Sequence, residues 1–92
     1  MNTQRLEQVP IEKLVPYARN ARTHSKEQIA QLRSSLREFG FVSPAVIDNN
    51  YNILVGHGRI AAAREEGYKT VPCVFAEDLT DAQKRAYILA DN

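Results

Sequence analysis

A histidine between two glycines, followed at once by an arginine, occupies residues 56–59 and is the segment whose residue types favour binding of an anion. It follows the apolar run 53–55, typical of a buried strand, and it precedes a helix predicted to begin near Arg59. Gly56 and Gly58 let the backbone turn tightly and approach a ligand, and a helix start presents N–H groups and a positive dipole end. Because the Arg59 guanidinium can also pair with phosphate oxygens, the segment predicts a site for phosphate or another small polyanion.

His57 is the side chain of this turn that can exchange a proton near neutral pH, so it is the candidate acid or base of a hydrolytic reaction. The alternative is that His57 fills the turn and hydrogen-bonds the backbone. Glycine-containing junctions between strand and helix are common, so an unoccupied structural turn is the alternative to the phosphate site itself. His24 lies beside Ser25 at a helix start, where a role at the helix end or in solvent is favoured over catalysis.

The elements before the turn are predicted from capping residues, prolines and periodicity. Residues 9–17, with two prolines, predict a short edge strand and a turn, and residues 1–8 are expected to be flexible. Ser25 with Gln28 predicts a capping box that starts a helix, and Gly40 predicts its end. Apolar residues recur between them at helical spacing, namely Ile29, Leu32, Leu36 and Phe39.

The remaining elements predict a mixed sheet with helices, an α/β or more strictly α+β fold. Residues 45–48 and 51–55 should pair antiparallel around Asn49-Asn50, whose tolerance of positive φ suits a tight turn. A helix over 59–66 capped by Gly67 should follow. A strand over 70–75 with Pro72 near an edge or bulge, and a helix from Thr80 to Asn92 opened by a second capping box with Gln83, complete the prediction.

Size and composition bound what the chain can do. Its 92 residues fit one small domain, 1–92. No apolar run is long enough to span a membrane and no secretory signal is present, so a cytoplasmic protein is expected. Cys73 has no partner for an internal disulfide and is predicted to be a small core residue. Residues 1–46 hold seven Lys or Arg against four acids, a net charge of +3, which predicts only weak duplex binding by this domain alone. Arg33 and Arg37 could form a basic face toward DNA phosphate or an ordinary solvated surface.

Three segments in order, SKEQIAQLRSSLREFGFVSP, YNILVGHGRIAAAREEGYKTVPCV and LTDAQKRAYILADN, resemble the ParB/sulfiredoxin fold, specifically the ParB-like N-terminal (ParB-like nuclease) domain. The GHGR turn with the closing RAYILADN is most similar to the domain that precedes a DNA methyltransferase in phage and prophage proteins. The chain ends on a helix without a stop signal, so we expect it to be part of a longer protein. The resemblance implies that this protein has a methyltransferase-type C-terminal domain.

The resemblance also implies ligands. Partitioning members of the family bind CTP with magnesium through a GERR box, a loop arginine and a Glu-Asn pair. The box corresponds here to Gly56, His57, Gly58 and Arg59. The loop arginine corresponds to Arg22, with Asn20 just before it, and the acid-amide pair corresponds to Asp91 and Asn92 as candidate magnesium ligands.

Departures from the family pattern narrow the implied chemistry. His57 replaces the glutamate of the box and Gly58 replaces its first arginine, so CTP specificity and hydrolysis are open. Sulfiredoxins carry their catalytic cysteine in this turn, whereas Cys73 lies on another strand, so sulfiredoxin activity is rejected. The expected function is a nucleotide- or phosphate-binding accessory domain that acts with DNA. The alternatives are a metal-dependent nuclease or nucleotide hydrolase using His57, and a structural module for homodimer formation or docking.

Overall fold

The computed structural model describes residues 5–17 and 24–91, with the backbone alone for residue 91. Within these residues five strands, three α-helices and one 3-10 turn follow each other along the chain. In order they are β1 (Arg5–Pro10), the 3-10 turn (Ile11–Lys13), β2 (Val15–Pro16), α1 (Lys26–Phe39), β3 (Ala45–Ile47), β4 (Asn52–Val55), α2 (His57–Glu65), β5 (Thr70–Phe75) and α3 (Asp81–Asp91).

The strands form one mixed sheet in the order β1-β5-β3-β4-β2. Strand β5 pairs antiparallel with β1 and parallel with β3, while β4 pairs antiparallel with β3 and parallel with β2. The two strands of the N-terminal segment therefore lie at opposite edges of the sheet. This arrangement confirms the predicted α+β class with a small mixed sheet.

Helices cover both faces of the sheet because successive strand residues point to opposite sides. One face packs against α1 and α2 around a core whose members are Val9, Leu14, Leu36, Ala45, Ile47, Ile53, Ile60, Ala62, Ala63, Val71, Cys73 and Phe75. On the other face Leu54 packs with Ala76 and with Ile88 of α3. Helix α3 therefore lies on the opposite side of the sheet from the helix that follows the glycine turn.

Both ends of α1 and the start of α3 are those predicted from their capping residues, and the predicted end of α3 at Asn92 lies outside the described residues. The Ser25 hydroxyl accepts a hydrogen bond from the Gln28 backbone N–H, and the Gln28 side chain accepts one from the Ser25 N–H. Thr80 and Gln83 make the same reciprocal pair before α3. Gly40 ends α1 with a φ of 78°. Because these signals are local, the sequence alone carries them.

The β3–β4 hairpin forms as predicted, but its strained residue is not one of the two asparagines. Among the non-glycine residues described in the turn, positive φ falls on Tyr51, at 66°. The Tyr51 N–H donates to the Asp48 carbonyl (3.1 Å), and the Asp48 side chain accepts from the backbone N–H of both Asn50 and Asn52 (2.9 Å each). The Asp48 carboxylate thus shapes the turn, and the left-handed residue comes one position later than expected.

Two further details of the strands differ from the sequence prediction. Strand β1 begins at Arg5, so residues 5–8, expected to be flexible, include backbone paired with β5. Pro72, expected near an edge or bulge, lies opposite Gln8 in β5, which has a neighbour strand on each side. No helix in the described ranges is long and apolar enough to cross a membrane.

Candidate functional site

Helix α2 begins at His57, two residues earlier than predicted, because Gly56 acts as the N-cap in the left-handed region with a φ of 104°. The Gly56 carbonyl accepts the first helical bond, from the Ile60 N–H at 2.9 Å. His57, Gly58 and Arg59 therefore form the first turn of the helix, whose N–H groups have no carbonyl one turn before them within the helix. The sequence predicted a turn followed by a helix start, and in the structure residues 57–59 of that turn are the first turn of α2.

Close packing explains why glycine stands at position 56. A Cβ built there would lie 3.0 Å from the Cβ of Ala45 and 3.2 Å from an Nη atom of Arg59, and the left-handed φ would strain any other residue. The backbone of the turn is thereby pressed against β3. The consequence is a helix start whose position is fixed by the sheet.

Arg59 reaches across to the connection between α1 and β3. Its Nη2 donates to the Pro44 carbonyl (3.2 Å), and its guanidinium carbon lies 6.0 Å from the centre of the Phe41 ring. Phe41 in turn packs against Tyr68, with ring centres 6.3 Å apart. Nothing in the local sequence pattern connects residues 41–44 with Arg59, because the pattern does not show which loop will face the helix start. The guanidinium is half-buried, so it combines a cation with fixed placement.

His57 and His24 occupy different positions relative to this turn. His57 is half-buried at the first helical position, and its Nε2 atom is shielded from solvent. His24, for which the sequence favoured a role at the helix end or in solvent, lies against Gly58. A Cβ at residue 58 would lie 2.9 Å from the His24 Nε2 atom and 2.8 Å from a methyl carbon of Leu32. The structure therefore brings a second histidine to the turn, from a residue 33 positions earlier that no motif connects with it.

A groove of about 450 Å³ continues from His24 along α1 and α2. Its lining residues are His24, Lys26, Ile29, Ala30, Arg33 and Glu65. Arg33 donates to Glu66 (2.7 Å) and Glu65 (3.0 Å), and Arg37 donates to Glu66 (2.6 Å). The suggested basic face of Arg33 and Arg37 is thus paired with carboxylates of α2 and serves to join two helices.

These ion pairs shift the protonation of the groups that make them. The hydrogen bond from Arg33 lowers the pKa of Glu66, and that same bond raises the pKa of the Arg33 guanidinium. Both groups therefore stay charged across the neutral range, and the α1–α2 contact keeps its ionic character there.

The other predicted site residues lie outside the described residues or at their C-terminal limit. Arg22, Asn20 and Asn92 lie outside the described residues, and Asp91 is described only as the last backbone position of α3. Within the described residues, no group of three His, Cys, Asp or Glu side chains is placed to hold a metal ion. Cys73 is fully buried, and its burial raises the pKa of the thiol to about 11, in agreement with the predicted core role.

A buried ion pair that the sequence analysis did not anticipate holds α3 to the hairpin. The Lys84 Nζ lies 3.0 Å from Oδ2 of Asp48, whose side chain is 2% exposed. Burial alone would raise the pKa of Asp48, but hydrogen bonds from Asn52, Lys84 and Asn50 outweigh it and hold the pKa below its ordinary value. Sequence patterns show Asp48 as a turn former and Lys84 as a helical lysine, and nothing in the sequence connects these two residues, which are 36 positions apart.

Known proteins resemble this chain in both sequence and fold. The family described as the ParB N-terminal domain matches residues 1–92. The ParB-like nuclease domain-containing protein YnaK of Escherichia coli is 47% identical over 76 residues, covering 83% of this chain and 87% of YnaK. Stage 0 sporulation protein J of Bacillus subtilis is 29% identical over the whole chain, which spans 34% of that protein.

Solved structures extend the comparison. The C-terminally truncated ParB of Caulobacter crescentus, complexed with CTP-γ-S, matches 99% of this chain with a TM-score of 0.83 and 30% identity, over 53% of its own length. Sulfiredoxin of Arabidopsis thaliana matches 92% of the chain and 97% of its own with a TM-score of 0.71 at 19% identity, a likeness of fold. The chain spans about a third to a half of the length of the partitioning proteins it matches. It belongs to the ParB N-terminal domain family, within the ParB/sulfiredoxin superfamily.

Proposed function

We propose that this chain is a nucleotide-binding, DNA-associated domain that holds the phosphates of a nucleoside triphosphate, CTP in the first instance, at the first turn of α2. The observation that carries the proposal is the position of Arg59, tied to the Pro44 carbonyl beside a helix start whose cap is a left-handed glycine. Support comes from the Caulobacter protein, which has the same fold over 99% of this chain and is complexed with CTP-γ-S.

Each part of the turn has a separate task in this proposal. The backbone N–H groups of residues 57–59 donate to phosphate oxygens, and the helix dipole favours the negative charge. Arg59 adds a cation that can donate two parallel hydrogen bonds to phosphate. Arg22 and Asn20, from the segment before α1, are proposed to approach the same phosphates. Magnesium would accompany the nucleotide, with Asp91 and Asn92 as its candidate ligands.

The nucleobase that the site prefers has to be measured, because residues 56–59 depart from the GERR box. With Gly58 in place of its first arginine and His57 in place of its acid, the site carries one cation and one carboxylate fewer than that box. Phosphate contacts do not distinguish bases, so a panel of CTP, ATP, GTP and UTP with and without magnesium measures specificity directly.

Isothermal calorimetry with Arg59→Ala tests the binding assignment. Wild-type protein should bind a nucleotide of the panel, and the variant should lose this binding while keeping its far-UV circular dichroism and unfolding midpoint near those of the wild type. Arg85→Ala, at an exposed position of α3, removes the same charge away from the turn and should bind like the wild type. Unchanged affinity in Arg59→Ala would overturn the assignment.

Thermal unfolding provides the stability readout of the same complex. A ligand at a hundredfold excess over its Kd stabilises the folded state by about 2.7 kcal/mol. For a domain of this size such a gain raises Tm by roughly ten degrees or more. If no nucleotide of the panel raises Tm, a structural role in dimer formation or docking is favoured instead.

DNA and a second copy of the chain are the proposed macromolecular partners. A truncated Caulobacter ParB has been solved on the centromeric parS site, with 27% identity and a TM-score of 0.71 to this chain. The net charge of +3 in residues 1–46 is small, so duplex binding by this domain alone should be weak and salt-sensitive. Nucleotide binding is proposed to change how a neighbouring domain, of the methyltransferase type, engages DNA.

Phosphodiester or nucleotide hydrolysis is the second candidate function, favoured by the 47% identity to a protein named for a ParB-like nuclease domain. His57, at the first helical position, would then act as acid or base. Plasmid nicking and phosphate release should be followed for wild type and His57→Ala in parallel. Activity that depends on His57 would support an enzyme, and activity that survives the substitution would exclude His57 from catalysis.

A further inference from the structure

We infer that His24 is a phosphate-contacting residue of the α2 site and that it makes nucleotide binding dependent on protons, an inference that rests on the nucleotide site proposed above. Its Nε2 and Cδ2 atoms lie 2.9 and 3.0 Å from where a Cβ of residue 58 would be. The imidazole therefore occupies the space that any side chain at position 58 would enter. The ring therefore packs against Gly58, the second residue of α2.

The contact depends on the absence of a side chain at Gly58, which is buried. Besides the histidine, Leu32 of α1 comes within 2.8 Å of the Cβ position. A larger residue would displace the ring, the leucine or the helix start. The exchange of a family arginine for glycine thus removes one cation from the turn and admits another ionisable group.

The charges that face His24 favour an anion beside it. The charged residues that line the groove with His24 are Lys26 and Arg33 of α1 and Glu65 of α2. Glu65 is the carboxylate that lines the groove, and it is paired with Arg33 at 3.0 Å. Lys26 and the N-terminal end of α2, where the ring contacts Gly58, supply the remaining positive potential near the ring, so negative charge is attracted there.

A phosphate in this position interacts more strongly with imidazolium than with neutral imidazole, because the charged ring adds a charge-assisted hydrogen bond. Binding and protonation of His24 are therefore linked: nucleotide binding takes up a proton, and acidification strengthens binding. Arg59, which stays charged, supplies the pH-independent part of the affinity.

Calorimetry with magnesium-free CTP at pH 6, 7 and 8, each in two buffers of different ionisation enthalpy, measures affinity and proton uptake together. The terminal phosphate also changes protonation in this range, so the readout is the difference between wild type and His24→Gln. We expect His24→Gln to bind roughly tenfold more weakly than wild type at pH 6, with a much smaller difference at pH 8. Arg85→Ala, at an exposed position of α3 away from the turn, is the control and should keep the wild-type proton uptake.

Gly58→Ala supplies a second, independent test. Its methyl group should displace the imidazole and reduce the proton uptake of the otherwise wild-type chain, but it should change little more in a His24→Gln background. Circular dichroism and the unfolding midpoint verify that each variant is folded. If wild type and His24→Gln bind with the same proton uptake and the same pH profile, the role of His24 is overturned and the nucleotide site is not. An absence of binding by wild type at every pH, to CTP and to the other nucleotides of the panel with and without magnesium, would overturn the nucleotide site and this inference together.

Discussion

Lys84 of α3 and Asp48 of the β3–β4 hairpin form an ion pair, 3.0 Å from Nζ to Oδ2, in which the carboxylate is almost completely removed from solvent. The same carboxylate accepts three further hydrogen bonds from Asn50 and Asn52. One group thus shapes the hairpin turn and holds a helix that contributes little else to the core. Because α3 packs on β4 mainly through Ile88, the pair is a large part of what fixes that helix.

Substitution of either partner should destabilise the fold by different amounts. Lys84→Met leaves a carboxylate that keeps its amide donors, so we expect a loss of about 1–3 kcal/mol in the free energy of unfolding. Asp48→Ala also removes the turn acceptor and should cost about 3–5 kcal/mol. Urea unfolding monitored by circular dichroism measures both, and Lys84→Arg should recover part of the loss. Equal stability of wild type and Lys84→Met would show that the pair does not hold α3.

Stability should fall in acid through Asp48 protonation. The folded-state pKa of Asp48 is lowered, so its stabilising contribution is complete above the unfolded-state pKa of about 3.9 and is lost as pH falls through the folded value. Urea midpoints between pH 7 and pH 2.5 should decline below about pH 4 in wild type. Asp48→Asn, although less stable at pH 7, should decline less steeply in the same interval. Parallel curves would assign the acid loss to other carboxylates.

Gly56→Ala should destabilise the domain more than Gly67→Ala. Both glycines have positive φ, but a Cβ at Gly56 meets Ala45 at 3.0 Å, whereas one at Gly67 meets no atom within 4 Å. Backbone strain should cost about 1 kcal/mol at either site, and the steric contact should add about 1–2 kcal/mol at Gly56. Thermal unfolding of the two variants gives the difference, and equal Tm values would contradict the packing argument.

Arg37→Ala should leave DNA affinity unchanged. Arg37 donates to Glu66, so its charge is engaged by α2 instead of being presented to phosphate. We expect Tm to fall by a few degrees at most, since the pair is exposed on the Arg37 side. Fluorescence anisotropy with a DNA duplex at low salt measures the DNA affinity of Arg37→Ala. Lys26→Ala, at another exposed position of α1, is measured beside it for comparison. A clear loss of affinity in Arg37→Ala would restore the basic-face interpretation.

The accuracy of the sequence predictions follows the range of the interactions that decide each feature. The capping boxes at Ser25 and Thr80 were predicted correctly because all their atoms lie within four residues. The start of α2 was placed two residues late because Gly56 caps it through backbone conformation, which leaves no polar side chain as a signal. Positive φ was assigned to the asparagine pair instead of Tyr51 because the Asp48 carboxylate determines the hairpin turn.

Contacts between distant residues were beyond the sequence. The GHGR turn was identified from its composition, but its neighbours His24, Phe41 and Pro44 come from other elements. Arg33 and Arg37 have the spacing of a basic surface, and only the fold shows that Glu65 and Glu66 face them. Residue type therefore predicted which chemistry the site can do, and the tertiary structure was needed to assign its partners.

Strands β1 and β2, separated by only four residues, occupy the two outer positions of a five-stranded sheet. A single N-terminal segment thus shields the hydrogen-bonding groups of both β5 and β4 from other chains. Cleavage or truncation before α1 would leave β5 and β4 as the edges of the sheet, in place of two strands that each contain a proline. During synthesis this segment is made before the hairpin and β5, so neither of its strands can pair until those elements have followed it, and the outer sides of β4 and β5 are covered late.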